Sequence, residues 1–479
     1  MAIFTAPRTI PMPPRSAPRG ERWSTPRQLQ ALMALTWTVT VLLMIAALFA
    51  RYQVYSAVKT VGRDAAPSIL AAQDVRARLA SMDANAALDL LGGPTGIPTA
   101  RTAFEADRQG AVNRLIDAAQ NITYDDAERI PIQTINQQMG QYLQLIAEAR
   151  LLHQQNPADA NALARYRQAT DLMHATIIPA AQALDEVNQQ HLDQAYAANG
   201  RSTAIFQALV YAAVLALLAT LIGTQVFVAR RAHRLLNPPL ALASLLVLIA
   251  VLFINHTFTV AAYDLTVAKP DAFDSLGTLS RARSAMYDAR GDQARFLLDP
   301  TRAAQYDQTF RDKTATVVSV PITDALVATT DRNVQDVTST AQGVQAATHD
   351  AVPFVGYLAT ELNNITFVGE KAAAMSTLRA DAQFLITDAQ IRTLERAGRH
   401  ADAVALCIGA GDTDAGGQLA RFDTALGQTI TINAQQFQDA IIRGFADLAF
   451  VPVATPIIAL LIALLAFAGI QARLCEYHV

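Results

Sequence analysis

Cysteine is nearly absent: Cys407 and Cys475 are the only two in 479 residues. By the topology derived below they lie on opposite sides of a membrane and cannot pair. The polar parts of the chain must therefore stand on helix packing without disulfides, which suits exported bacterial domains better than small eukaryotic ones. Cys475, beside the membrane, is either an acylation site in a eukaryotic setting or a free cytoplasmic thiol. Catalytic signatures are also missing: there is no G-x-x-x-x-G-K-[ST], no G-x-S-x-G and no H-E-x-x-H. The eight histidines are scattered, and none pairs with another at i+3 or i+4 as a helical metal site requires. Asp412, Asp414 and Gly416 follow the opening of a calcium loop, but the closing glutamate is missing, so the stretch reads as a flexible acidic turn. These absences point away from an enzyme and from any cofactor. Net charge is −3, with no basic surface to suggest nucleic acid. Sustained period-2 alternation with Asn-Gly or Asp-Gly turns is missing too, which removes the signal for strand-built domains.

What is present is apolar. Hydrophobic residues make up 52% of the chain, and they gather in four charge-free runs, 29–50, 204–228, 240–258 and 448–470. Each has the roughly 20 residues that a helix needs to cross a bilayer. Basic residues orient them. Arg8, Arg15, Arg19, Arg22 and Arg27 precede the first run, opposed only by Glu21. Arg230, Arg231 and Arg234 fill the turn 229–239 between the second and third, and Arg473 follows the fourth. Short arginine-rich connections stay in the cytoplasm. The tails 1–28 and 471–479 and the turn 229–239 are thus expected inside a bacterial plasma membrane, and the blocks 51–203 and 259–447 outside. The alternative for the first run, a cleaved signal peptide, requires a shorter apolar core and a small-residue cleavage site.

Both outer blocks read as helices, giving an all-α integral membrane protein with two extracytoplasmic antiparallel bundles continuous with the spans. In the first block Ile69, Leu70, Val75, Leu79, Met82, Ala86 and Leu90 recur at spacings of three and four. Gly and Pro at 92–98 end that helix. Further helices are expected over 99–119, 132–155 and from 158 into the second span, the up-and-down plan of a four-helix bundle. In the second block Phe273, Leu276, Leu279, Met286, Phe296 and Leu297 mark a helix that stops at Asp299-Pro300. Helices follow over 301–317, 322–348 and 354–397, then an insertion near 398–416, and a last helix from 418 into the fourth span. The segment 77–84 (ARLASMDA) matches 282–289 (ARSAMYDA) at an offset of 205 residues, and a similar offset relates the starts of the first and third spans. Two bundles side by side, made by duplication, follow from this. Asn121-Ile122-Thr123 and Asn364-Ile365-Thr366 fit a glycosylation pattern that matters only in a eukaryote.

Little chain reaches the cytoplasm, so any signalling output must be borrowed from a partner. The Pro/Arg-rich residues 1–28 read as disordered, either a docking peptide or an anchor for topology. The spans carry no Asp, Glu, Lys or Arg, the usual marks of an ion path, which argues against a transporter.

The plan of each block resembles the four-helix sensor domains of chemoreceptors and histidine kinases. In the second block, 361–374 (ELNNITFVGEKAAA), 384–409 and 422–437 resemble the GlnX family of actinobacterial four-pass membrane signalling proteins. That resemblance implies a non-enzymatic relay between an extracytoplasmic glutamate- or aspartate-binding lipoprotein and a cytoplasmic Ser/Thr kinase. It makes Asn364, Thr366, Phe367, Gly369, Glu370 and Lys371 candidates for outer partner contact on a turn far from the membrane, unless they form only a helix-to-helix corner. Arg230, Arg231, His233 and Arg234 are the inner candidates, unless they only hold topology. The bilayer is a further partner, and a homo-oligomer is compatible with the reading. Direct sensing of a small molecule between bundle helices, or a structural role in envelope assembly, are the alternatives.

Overall fold

The computed structural model describes residues 24–122, 125–232, 237–340, 343–345 and 351–475. In chain order the first half contains α1 (Thr25–Lys59), a π-helical turn π1 (Thr60–Ala65), α2 (Ala66–Leu91), α3 (Pro98–Gln120), α4 (Asp126–Gln155), α5 (Ala160–Leu172), π2 (Met173–Ile177) and α6 (Ile178–Ala232). The second half begins with α7 (Pro238–Thr266), π3 (Val267–Phe273), α8 (Asp274–Leu298) and α9 (Ala303–Val317). It continues with α10 (Asp324–Asn333), the strands β1 (Thr338–Thr340) and β2 (Gly343–Gln345), α11 (Tyr357–Leu362), α12 (Glu370–Arg396), α13 (His400–Ile408), α14 (Ala415–Ala449) and α15 (Val451–Leu474). Four helical runs, of 67, 71, 61 and 60 residues, are long and apolar enough to cross a membrane.

The chain divides into two compact units, one of residues 1–51, 204–256 and 450–479, the other of 52–203 and 257–449. In the first, the apolar unit, apolar side chains point both ways: Leu217 and Val247 are buried, while Leu215, Leu252 and Leu460 are exposed. Helices apolar all round belong in lipid. Polar side chains fasten them to one another, where every hydrogen bond must be made internally. Asn237 Nδ2 donates to the Gly469 carbonyl at 2.8 Å, Trp37 Nε1 to the Ala463 carbonyl at 3.2 Å, and the Tyr211 hydroxyl to Asn255 Oδ1 at 2.6 Å. A Cβ at Gly469 would stand 2.9 Å from Leu240 Cγ, so the close approach there needs glycine.

In the second, the helical unit, α2, α3, α4 and the α5–π2–α6 run share one apolar core. Val75, Leu79 and Met82 meet Phe104 and Leu115, Ile135, Tyr142 and Ile146, and Tyr166 and Met173. In the second half α8, α9, α12 and α14 contribute Leu279, Met286, Phe310, Leu378, Phe384, Phe422 and Leu426 to another. The first core also takes in Ala294, Leu297, Ile391 and Cys407 from the second half, because α2 packs directly on α8. The two polar blocks thus form one unit. The duplication has a structural echo: π1 and π3 precede α2 and α8 at nearly the same offset as the repeated octapeptide.

Three local expectations need correction. α4 begins at Asp126 rather than 132, carrying Pro131 inside it. The helix expected over 322–348 ends at Asn333 and gives way to a short antiparallel strand pair. The helix expected over 354–397 is broken between Leu362 and Glu370. Gly369 there adopts φ +83°, outside helical geometry.

Candidate functional site

The repeated octapeptide places Asp83 on α2 and Asp288 on α8 in equivalent positions, and the packing of those helices brings both aspartates to a single imidazole. His174 Nε2, in π2, is 3.2 Å from Asp83 Oδ2 and 3.5 Å from Asp288 Oδ1. A π-turn inserts an extra residue into a helix and is often found at functional positions. Asp83 is sealed from solvent and fully engaged. It accepts from the Tyr142 hydroxyl at 3.0 Å, Thr170 Oγ1 at 2.9 Å and Arg295 Nη1 at 2.6 Å. Arg295, itself buried, also meets Asp292 at 3.1 Å, and Lys313 Nζ of α9 reaches Asp288 at 2.9 Å and Asp292 at 2.6 Å. Three carboxylates therefore face two permanent cations, with the His174 imidazole between Asp83 and Asp288.

This cluster is the middle of a longer seam. Lys269 pairs with Asp193 at 2.8 Å, Arg281 with Asp185 at 3.2 Å, and Arg302 with Asp171 at 3.0 Å. In each, as in Arg295–Asp83, the second half gives the cation and the first half the carboxylate. Arg167–Asp299, joined at 2.7 Å through Nε, runs the other way. Burial works to raise the Asp83 carboxyl, but the Arg295 guanidinium, with His174 and Thr170, outweighs it and holds the group well below the usual carboxylate range. Asp288 shows the same balance, with His174, Lys313 and Arg295 overcoming burial. A buried ion pair adds little net stability against an apolar replacement, yet costs much to break. The seam is therefore suited to setting how the two halves register against each other.

None of these residues was singled out in the sequence. The Asp83–Arg295 partners are 212 residues apart, and the available signal was the octapeptide repeat, which aligned Asp83 with Asp288 before any partner was visible.

The outer candidates fall elsewhere. Asn364, Thr366, Phe367, Gly369, Glu370 and Lys371 form the corner between α11 and α12. Phe367 packs with Val58, Val61, Val267, Phe437 and Ile441, residues close in sequence to the apolar runs. Asn364 Nδ2 donates to the carbonyls of Pro270 and Asp271 at 3.2 and 3.0 Å. Phe367 and Glu370 are buried, and Gly369 is exposed. Lys371 Nζ binds Asp331. Elsewhere in the unit, Leu90, His153, Pro157, Asp159, Leu163 and Leu298 line a cavity of about 140 Å³. Of the inner candidates, Arg230 is exposed near the end of α6 and Arg231 follows it in the same helix. His233 and Arg234 lie outside the described residues. Among the described residues no three His, Cys, Asp or Glu side chains gather as metal ligands.

Residues 57–197 match the family model of an actinobacterial sensor domain. The matched segment contains Asp83, Tyr142, Thr170 and His174, the first half's share of the central cluster. No curated protein and no solved structure matches the chain. A sensor-type actinobacterial protein with four membrane-capable helices is what the family match and the fold support.

Proposed function

We propose that this protein is a non-enzymatic transmembrane signal relay, with its helical unit outside a bacterial plasma membrane and both termini in the cytoplasm. It couples an extracytoplasmic lipoprotein that binds glutamate or aspartate to a cytoplasmic Ser/Thr kinase. The partner classes come from the resemblance of 361–374, 384–409 and 422–437 to the GlnX family. The observation that carries the relay itself is the set of four helical runs of 60 to 71 residues, each long and apolar enough to cross a membrane. A loaded partner that favours one register of the two halves biases shifts of about 1–2 Å between packed helices. It must bind one register better than the other, or nothing is transmitted.

The seam is the element we assign to this bias, since its paired charges join helices from both halves. The test is purification of the full chain, tagged at the C-terminus, from native membranes with and without glutamate or aspartate. Recovery of a solute-binding lipoprotein and a Ser/Thr kinase, in amounts that change with the amino acid, supports the relay. Recovery that ignores the amino acid rejects it.

The cavity of about 140 Å³ favours a second reading, direct sensing. It lies between Leu90 and Leu163 of the first half and Leu298 of the second, beside His153 and Asp159. A small ligand there would stabilise the full chain with no partner present, and substituting His153 would abolish that effect.

A further inference from the structure

The stretch that most resembles the GlnX family turns inward. Glu361, in α11, is 1% exposed, and Glu370, the first residue of α12, is wholly buried. One amide serves both: Asn433 Nδ2, on α14, stands 2.6 Å from Glu370 Oε1 and 3.4 Å from Glu361 Oε1. Among the described residues no lysine, arginine or histidine pairs with either carboxyl. The charged groups on the surrounding elements are engaged elsewhere. Lys371 of α12 pairs with Asp331 of α10, and Lys269 of π3 with Asp193 and with Asp274 of α8. Asp271 of π3 is a further carboxylate, and α14 brings only the neutral Thr429 and Asn433 to this level. Glu361 Oε2 and Asn433 Oδ1 are sealed from solvent with no donor. Two adjacent carboxylates in a dry interior do not both ionise, and the Ser275 hydroxyl beside Glu361 supplies at most one hydrogen to two unpartnered acceptors.

We propose that Glu361 and Glu370 form a proton-binding site in which the pair holds one shared proton. Glu370 carries the charge, because its Oε2 accepts from the backbone N–H groups of Thr366 at 2.8 Å and Phe367 at 3.0 Å while Asn433 holds Oε1. Glu361 carries the proton. Burial and the neighbouring Glu370 charge push Glu361 well above the usual carboxylate range, and burial raises Glu370 as well. The two titrate as one system.

The site fastens two of the long helical runs. The Ser275 hydroxyl of α8 stands beside Glu361 and accepts from Asn364 Nδ2 at 2.9 Å. Asn364 also holds two carbonyls of π3, and Asn433 ties the pair to α14. Loss of the proton places a second charge among these contacts and loosens the start of α8 and the middle of α14. Since binding in the folded state is raised, the stabilisation is complete below the ordinary glutamate range and is lost as pH rises through the pair's own titration. This device does not depend on which partner drives the relay.

The test uses the full chain in lipid nanodiscs, with D381N as background because Asp381 is another buried acid (0% exposed). Infrared spectroscopy reads protonated carboxyl groups, and hydrogen exchange, corrected for the intrinsic pH effect, reads residues 267–280 and 429–437. The proposal expects a protonated-carboxyl band at pH 7 that fades as pH is raised through the pair's own titration range and is absent in D381N/E361Q. It expects exchange of both segments to rise about tenfold over that range in D381N, equivalent to about 1.4 kcal/mol, and to stay flat in D381N/E361Q. The proposal fails if the band is missing from D381N at pH 7, or if E361Q leaves the exchange profile unchanged. It also fails if a chelator at constant pH opens the segments, which would make the occupant a metal cation.

Discussion

The seam and the interior of the second half both bury an aspartate completely, and they treat it in opposite ways. Asp83 meets a guanidinium, a tyrosine, a threonine and an imidazole, and is held ionised. Asp381, on α12, has no hydrogen-bond partner for either oxygen, and burial alone pushes it up to about 7. Equal burial with unlike company gives a fixed charge in one place and a neutral acid in the other. The charge therefore reports what each region is built to do. The seam defines a relation between the two halves, whereas Asp381 marks a place in the second core that tolerates ionisation poorly.

Breaking the seam's central pair should have the largest effect. Arg295→Ala leaves Asp83 buried without its cation, and a loss of about 3–5 kcal/mol is expected in chemical denaturation of the full chain in detergent. If Asp83 is truly compensated, D83L/R295M should cost much less than R295A, since both charges leave together. A double variant as unstable as the single one would show that packing, rather than the ion pair, holds the seam.

Asp381→Asn tests the other side of the comparison. Because the folded-state value is raised to about 7 from an unfolded value near 3.9, the neutral acid's contribution is complete below the unfolded value. It is lost as pH rises through the folded one. D381N should therefore unfold at a higher temperature than the parent at pH 8, by roughly 5 °C for about 2 kcal/mol. The two proteins should converge below about pH 4. Convergence in the opposite direction would mean that Asp381 has a cationic partner in solution.

Smaller changes sharpen the contrast. Tyr142→Phe removes one of the donors to Asp83 and should cost about 1 kcal/mol. It should also raise the Asp83 titration, seen as acid unfolding that begins at a higher pH. Gly369→Ala places a side chain at φ +83° with its nearest neighbour, Ile432 Cδ1, 3.9 Å away. The cost is then conformational alone, about 1 kcal/mol, measurable as a shift in denaturation midpoint. A larger loss would show that the corner has less room than its geometry indicates.

The regular parts of the molecule were legible because they obey periodicity. The apolar runs and the stripes from Ile69 to Leu90 and from Phe273 to Leu297 state which faces leave water. The corner at 363–369 was only half legible: it reads as a candidate helix-to-helix corner, while the helix pattern runs straight through it, since its Asn, Ile and Phe fit a helix as well as a turn. What breaks the helix there is Gly369 at φ +83° together with Glu370 accepting from the Thr366 and Phe367 N–H groups. Pro131 is a second such place: it reads as a helix stop yet lies within α4, where tertiary packing overrides the local preference.

The amino-acid sequence by itself determined four membrane-capable helices, helical polar blocks, and a repeat that aligns Asp83 with Asp288. Hydrophobicity and period act over neighbouring residues and need no partner. Only the tertiary structure decided that α2 lies against α8, that the aligned aspartates share His174, and that Glu361 finds Glu370 and Asn433. Those contacts join residues far apart in the chain, and electrostatics in a dry interior depends on who is within a few ångströms, which no local pattern records.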